Sequence, residues 1–130
     1  MAHVIVEYTA NIRAEADIPG LLRIINESLI GQGDVFPIGG IRSRAIELSD
    51  YRMADGAADY AFVHITLKMG AGRNVATQTT IGEDLFAAVR AHFAELYAKR
   101  LLALSLEVTE FDEGGTYKHN NVHARFRKAK

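Results

Sequence analysis

The apolar pattern of this chain runs strand, helix, strand and then strand, helix, strand again, and that repeat limits the fold more than any single motif. His3 to Tyr8 is short, rich in Val and Ile, and alternates, which predicts a strand. Asn11 to Asp17 is read as the turn that follows it. From Ile18 to Ile30, the apolar residues Ile18, Leu21, Leu22, Ile25 and Leu29 recur at helical spacing, with Asp17 as N-cap and Pro19 in the first turn. Gly31-Gln32-Gly33-Asp34 ends that helix, and Ile41 to Leu48 resumes an extended pattern. Tyr51 to Asp59 is a polar connection.

The second half keeps the order. Tyr60 to Met69 alternates as a strand, and Gly70 closes it. A long helix is predicted from near Asn74 or Thr77 to about Lys99, with Ile81, Leu85, Val89, His92, Phe93 and Leu96 along one face. Leu101 to Phe111 is the last long strand. A crossover helix packed on one face is the usual way to join parallel strands, so two β-α-β units forming one sheet, with two helices on one face, are expected. The fold class is α/β, or α+β in schemes that divide the two. Helices on a single face would leave the other uncovered, and Phe62, Val63, Ile65, Leu104, Leu106 and Val108 are read as apolar residues divided between both faces. A homo-oligomer would cover the second face and create pockets between subunits.

At 130 residues, with 48% hydrophobic and 24% charged residues and only 2 prolines, the chain suits a single domain, 1–130, with no linker. Lys+Arg 15 against Asp+Glu 16 gives a net charge of -1, which argues against nucleic acid as partner. The absence of cysteine excludes disulfides, thiolate nucleophiles and cysteine-ligated metals. No basic segment followed by an apolar run stands at the N-terminus, and no apolar stretch approaches membrane-spanning length. A cytoplasmic protein without membrane contact is expected.

The chemistry-bearing candidates are two glycine-flanked arginines, Arg42 in Gly39-Gly40-Ile41-Arg42-Ser43-Arg44 and Arg73 in Gly70-Ala71-Gly72-Arg73. Glycine lets the backbone turn beside a strand end and lets a ligand come close, and guanidinium offers a fixed fork of donors to carboxylates. Arg44 alternates onto the face of Arg42, where it either helps to bind the anion or makes a subunit or surface ion pair. Arg13 and Arg73 hold equivalent places, each just beyond the first strand of its unit.

Other residues read as structural. His119 and His123 are four apart, but Gly114-Gly115 precedes them and no helix is evident, so no metal is expected. Asn120-Asn121 is read as satisfying backbone groups at a subunit junction, and His64 and His92 as hydrogen-bonded histidines. Glu7 is a paired or solvated carboxylate able to orient the N-terminal region. The basic tail Arg125, Arg127, Lys128 and Lys130 is short and interrupted, and reads as a solvated end.

Six segments in order carry a resemblance: His3-Val4-Ile5-Val6-Glu7-Tyr8, Phe36-Pro37-Ile38-Gly39-Gly40-Ile41-Arg42-Ser43-Arg44, Met53-Ala54-Asp55-Gly56, Asp59-Tyr60-Ala61-Phe62-Val63-His64, Lys68-Met69-Gly70-Ala71-Gly72-Arg73 and Asn120-Asn121-Val122-His123-Ala124. Together they resemble the tautomerase superfamily and, within it, the 5-carboxymethyl-2-hydroxymuconate delta-isomerases of homoprotocatechuate catabolism, over nearly the whole chain.

The resemblance implies a tautomerase-like fold, a homotrimer with active sites between subunits, a small multiply charged carboxylate substrate, and no metal or organic cofactor. It also implies proton transfer along an unsaturated keto acid by an N-terminal amine. That amine usually belongs to a proline exposed by removal of the initiator methionine; here the matching residue is Ala2, whose amine would be primary. Arg42 and Arg73 match positions that bind substrate carboxylates and the developing dienolate oxygen, with Arg44 beside them. Two other functions fit the same residues: a tautomerase-fold enzyme for a different enol acid, and a non-catalytic trimeric anion-binding protein that lost the proline base.

Overall fold

In a computed structural model that describes residues 1–127, four strands form one sheet in the order β2-β1-β3-β4. Strand β1 spans Ala2–Thr9, β2 Ile41–Leu48, β3 Tyr60–Gly70 and β4 Leu101–Phe111. Within each unit the strands are parallel, β1 with β2 and β3 with β4. The units meet antiparallel along β1 and β3, with Ala2 opposite Met69 and Tyr8 opposite Val63.

Each crossover helix starts where a side chain caps it. Asp17 accepts from the Gly20 amide at 3.2 Å, and helix α2, Ile18–Ile30, follows with Pro19 in its first turn. Asn74 accepts from the Thr77 amide at 2.8 Å and starts helix α3, Val75–His92. The expected single helix to Lys99 is broken at Phe93, whose φ of -96° and ψ of 8° are not helical; a separate helix α4, Ala94–Lys99, follows. Asn11 to Asp17 is more ordered than a turn. It holds a 3-10 turn, Ala10–Ile12, and the short helix α1, Arg13–Ala16, before Asp17 adopts a left-handed φ of 46°, a conformation Asp tolerates.

Both long helices pack on one sheet face. Val4, Val6, Tyr8, Val63, Ile65 and Leu67 point into that layer and meet Leu21, Ile25, Leu29, Ile81, Leu85 and Val89, all buried. The register corrects the expected division of apolar residues. Val63 lies beside Leu104, Ile65 beside Leu106 and Leu67 beside Val108, so five of the six residues named share the helix face, and only Phe62 points the other way. The opposite face is largely polar, carrying His3, Glu7, Arg42, Arg44, His64, Thr66, Lys68 and Glu107. Among the described residues no helix is long and apolar enough to cross a membrane.

Candidate active site

Because β1 and β3 run in opposite directions, the start of β1 lies beside the end of β3, and the start of β2 joins them through its parallel pairing. The chain's N-terminus, Arg42 and Arg73 therefore come to one end of the sheet. A cavity of about 1020 Å³ opens there, lined by Met1, His3, Pro37, Gly39 to Arg42 and the segment Thr116 to His123.

Glycines allow the close packing around it. A side-chain carbon on Gly40 would lie 3.3 Å from the Met1 Cα, and one on Gly39 would lie 2.9 Å from the His123 backbone nitrogen. The Asn120 amide donates to the Gly39 carbonyl at 2.9 Å, and the Asn120 carbonyl oxygen accepts from the Val122 amide at 2.8 Å. Asn120 thus satisfies backbone groups within its own chain. It fastens the C-terminal segment, with its 3-10 helix Val122–Phe126, across the turn that precedes β2.

Arg73 is held rigidly. Its two terminal nitrogens donate to the Gly70 and Val35 carbonyls, both at 2.8 Å, and its guanidinium carbon lies 4.8 Å from the Phe36 ring centroid. Arg42 is exposed on β2, directly across from His3. Arg44, two residues on, meets the His3 Nδ1 at 3.2 Å and lies outside the cavity lining. Ala2 is fully buried at the start of β1, with Met1 standing in front of it in the cavity.

The N-terminus is partly buried, and most of its charged neighbours are cations. Burial foremost, then Lys118, Arg73 and Arg42, hold the Met1 amine below the ordinary α-amine range, against an opposing pull from Glu113. His3 is likewise lowered, by burial first and then by Arg42, Arg44, Lys68 and the amine. Glu113 pairs with Lys118 at 2.8 Å, which depresses its carboxyl. These two residues were missed by the sequence reading. They are five apart in an irregular segment, so no periodicity marks them, and only the chain's path over Gly70 brings Glu113 to the site.

Several other candidates lie elsewhere. Arg13 donates to the Tyr8 hydroxyl at 2.6 Å and pairs with Glu47 at 3.3 Å, at the opposite end of the sheet from Arg73. The equivalence of the two arginines along the sequence is thus undone by the antiparallel junction. Glu7 sits near the far end of β1, opposite Ile46 and His64 and away from the amine, which leaves no place for it in orienting the N-terminus. His64 meets the Ser105 hydroxyl at 2.7 Å and His92 the Ala16 carbonyl at 2.7 Å, as structural histidines do. His119 and His123 both border the cavity. Among the described residues, no group of three or more His, Asp or Glu side chains is placed to hold a metal ion. Arg125 and Arg127 are exposed, while Lys128 and Lys130 lie outside the described residues.

A family model described as CHMI, 5-carboxymethyl-2-hydroxymuconate isomerase, matches residues 2–126. Over 127 residues the chain is 50% identical to the 5-carboxymethyl-2-hydroxymuconate Delta-isomerase of Escherichia coli, covering 98% of this chain and 100% of that protein. The crystal structure of a 5-carboxymethyl-2-hydroxymuconate isomerase from Deinococcus radiodurans R1 aligns with a TM-score of 0.93 at 48% identity, over 98% of this chain and 95% of that one. At 18% identity and a TM-score of 0.64, the wild-type symmetric trimer of fused 4-OT shares the fold alone, over 90% of this chain and 93% of that one. The chain belongs to the 5-carboxymethyl-2-hydroxymuconate isomerase family and has the tautomerase fold.

Proposed function

We propose that this chain is a cofactor-independent isomerase that converts 5-carboxymethyl-2-hydroxymuconate to its 2-oxo-3-ene isomer. The observation that carries the reading is a cavity, bordered by Arg42 and within the field of Arg73, in which burial and those cations hold the Met1 amine below the ordinary α-amine range. Surroundings of that kind favour the neutral, proton-accepting form of an amine placed there.

In this mechanism Met1 is removed, which frees the space it fills and leaves Ala2 as the terminal residue. The Ala2 amine takes the proton from the 2-hydroxyl group, leaving a dienolate, and returns it to C5, so that two double bonds become one double bond and a ketone. Arg73, with its position fixed by two backbone carbonyls, faces the oxygen on which negative charge develops and requires no rearrangement as it forms. Arg42 binds a substrate carboxylate, and Arg44 supports that end of the site through His3. A primary amine in place of proline keeps the proton-accepting lone pair.

The active assembly is a homotrimer in which the polar sheet face is covered by neighbouring subunits and each cavity is completed at an interface. The fold shared with a protein that forms a symmetric trimer supports this, while the polar sheet face supplies no apolar drive of its own for association. The place of action is the cytoplasm.

The test is an ultraviolet assay of the purified protein with 5-carboxymethyl-2-hydroxymuconate, with mass spectrometry of the N-terminus. Loss of the conjugated dienol above the spontaneous rate, abolished by Arg42→Ala or Arg73→Ala, is the expected result. Ala2→Pro raises the rate where the pocket is intact. No turnover, with tight dicarboxylate binding, would instead mark an anion-binding protein, and turnover of another enol acid alone would move the substrate assignment.

A further inference from the structure

We infer that Lys118 is a third carboxylate-binding cation of the active site, held by Glu113 in the free protein and transferred to the substrate when it binds. The inference rests on the isomerase reading above and extends it to substrate specificity. The proposed substrate carries three carboxylates, two at the ends of the muconate chain and one on the carboxymethyl arm. It also develops charge on the enolate oxygen. Two arginines are few for that load, and both terminal nitrogens of Arg73 already donate to main-chain carbonyls.

Lys118 has the position and the freedom to supply the missing cation. It lines the same cavity as Met1 and Arg42, on the segment that Asn120 ties to Gly39. Its ammonium lies 2.8 Å from Glu113, and the two side chains are 42% and 46% exposed. An exposed ion pair of this kind contributes little, so a substrate carboxylate can replace Glu113 without a large penalty. Glu113 packs over Gly70, whose carbonyl also holds Arg73, so the pair lies beside the proposed oxyanion clamp.

The same exchange acts on the base. Lys118, Arg73 and Arg42 all oppose protonation of the Met1 amine and Glu113 favours it, the same charges surround an Ala2 amine left when Met1 is removed, and His3, His119 and His123 also border the cavity. Lys118 and Glu113 therefore pull in opposite directions on both substrate affinity and amine basicity.

This opposition separates a functional pair from a structural one. Lys118→Met, Lys118→Arg and Glu113→Gln proteins are assayed with 5-carboxymethyl-2-hydroxymuconate for kcat and KM. The amine pKa is read from the pH dependence of its rate of reductive methylation, and folding is checked by thermal unfolding. Lys118→Met is expected to raise KM about 10-fold with a smaller change in kcat, and to raise the amine pKa. Lys118→Arg restores KM, and Glu113→Gln lowers both KM and the amine pKa. Loss in the same direction from Lys118→Met and Glu113→Gln, or an unchanged KM in Lys118→Met, overturns the inference. Absence of turnover in the wild-type protein defeats the isomerase reading alone. Protection of the amine from methylation by the same tricarboxylate then still reports whether Lys118 binds it.

Discussion

Asn120 donates to the carbonyl of Gly39 at 2.9 Å, and through that bond the last part of the chain closes over the first residue. The two partners are 81 positions apart in sequence. The bond ties the segment that carries Lys118 and His123, the roof of the cavity, to the turn before β2, so it links a backbone detail of the β2 entry to the composition of the cavity.

Replacing Asn120 with Ala removes that donor and also the acceptor for the Val122 amide. The expected cost is about 1 kcal/mol of stability for each lost bond, together with a raised KM as the roof loosens. Denaturant unfolding and steady-state kinetics on the same preparation check both effects.

Gly39→Ala tests the packing directly. Its new methyl group would meet the His123 backbone, which cannot rotate away as a side-chain tip can. A destabilisation of roughly 1–3 kcal/mol is expected, measured by urea unfolding.

Arg73→Lys keeps the charge and loses the fork. A lysine cannot donate to Gly70 and Val35 together while stacking on Phe36. A fall in kcat of about 100-fold is expected, from displacement of the cation relative to the developing oxyanion. A kcat close to that of the wild type would mean that charge alone suffices.

The pH dependence follows from the amine. In the proposed mechanism the terminal amine must be neutral to accept a proton; with its pKa lowered as that of the Met1 amine is, kcat/KM is lost as pH falls through that pKa, and the acid limb lies below the ordinary range of about 7.7–8.0. Stability moves the same way. Between the lowered folded value and the ordinary one, the unfolded chain binds more protons, so stability falls as pH falls through that window. Rate and thermal-unfolding profiles across that range, compared with an N-terminally acetylated protein that lacks the titration, test both signs.

Elements with their own local signals were legible in the sequence. Both long helices begin at side chains that cap them, Asp17 and Asn74, and the alternation in β1 and β3 gave those strands within a residue or two. The break at Phe93 was not legible, because Phe93 continues the apolar stripe and is itself buried. Periodicity records which residues face the core and is blind to a non-helical φ and ψ at one of them.

The sequence by itself determined the strand and helix order, the family, and the two arginines beside glycine turns. Local backbone preference and side-chain chemistry are written at single positions, so they can be read there. Only the tertiary structure decided which ends of the strands meet. The antiparallel junction of β1 and β3 sends Arg73 to the N-terminus and Arg13 to the far end, although the sequence gives the two the same address. It also decided that Val63 and Leu104 share a face, and that Lys118 lines the cavity with Glu113 paired to it. Strand direction and register are set by pairings between distant segments, and no pattern within one segment encodes them.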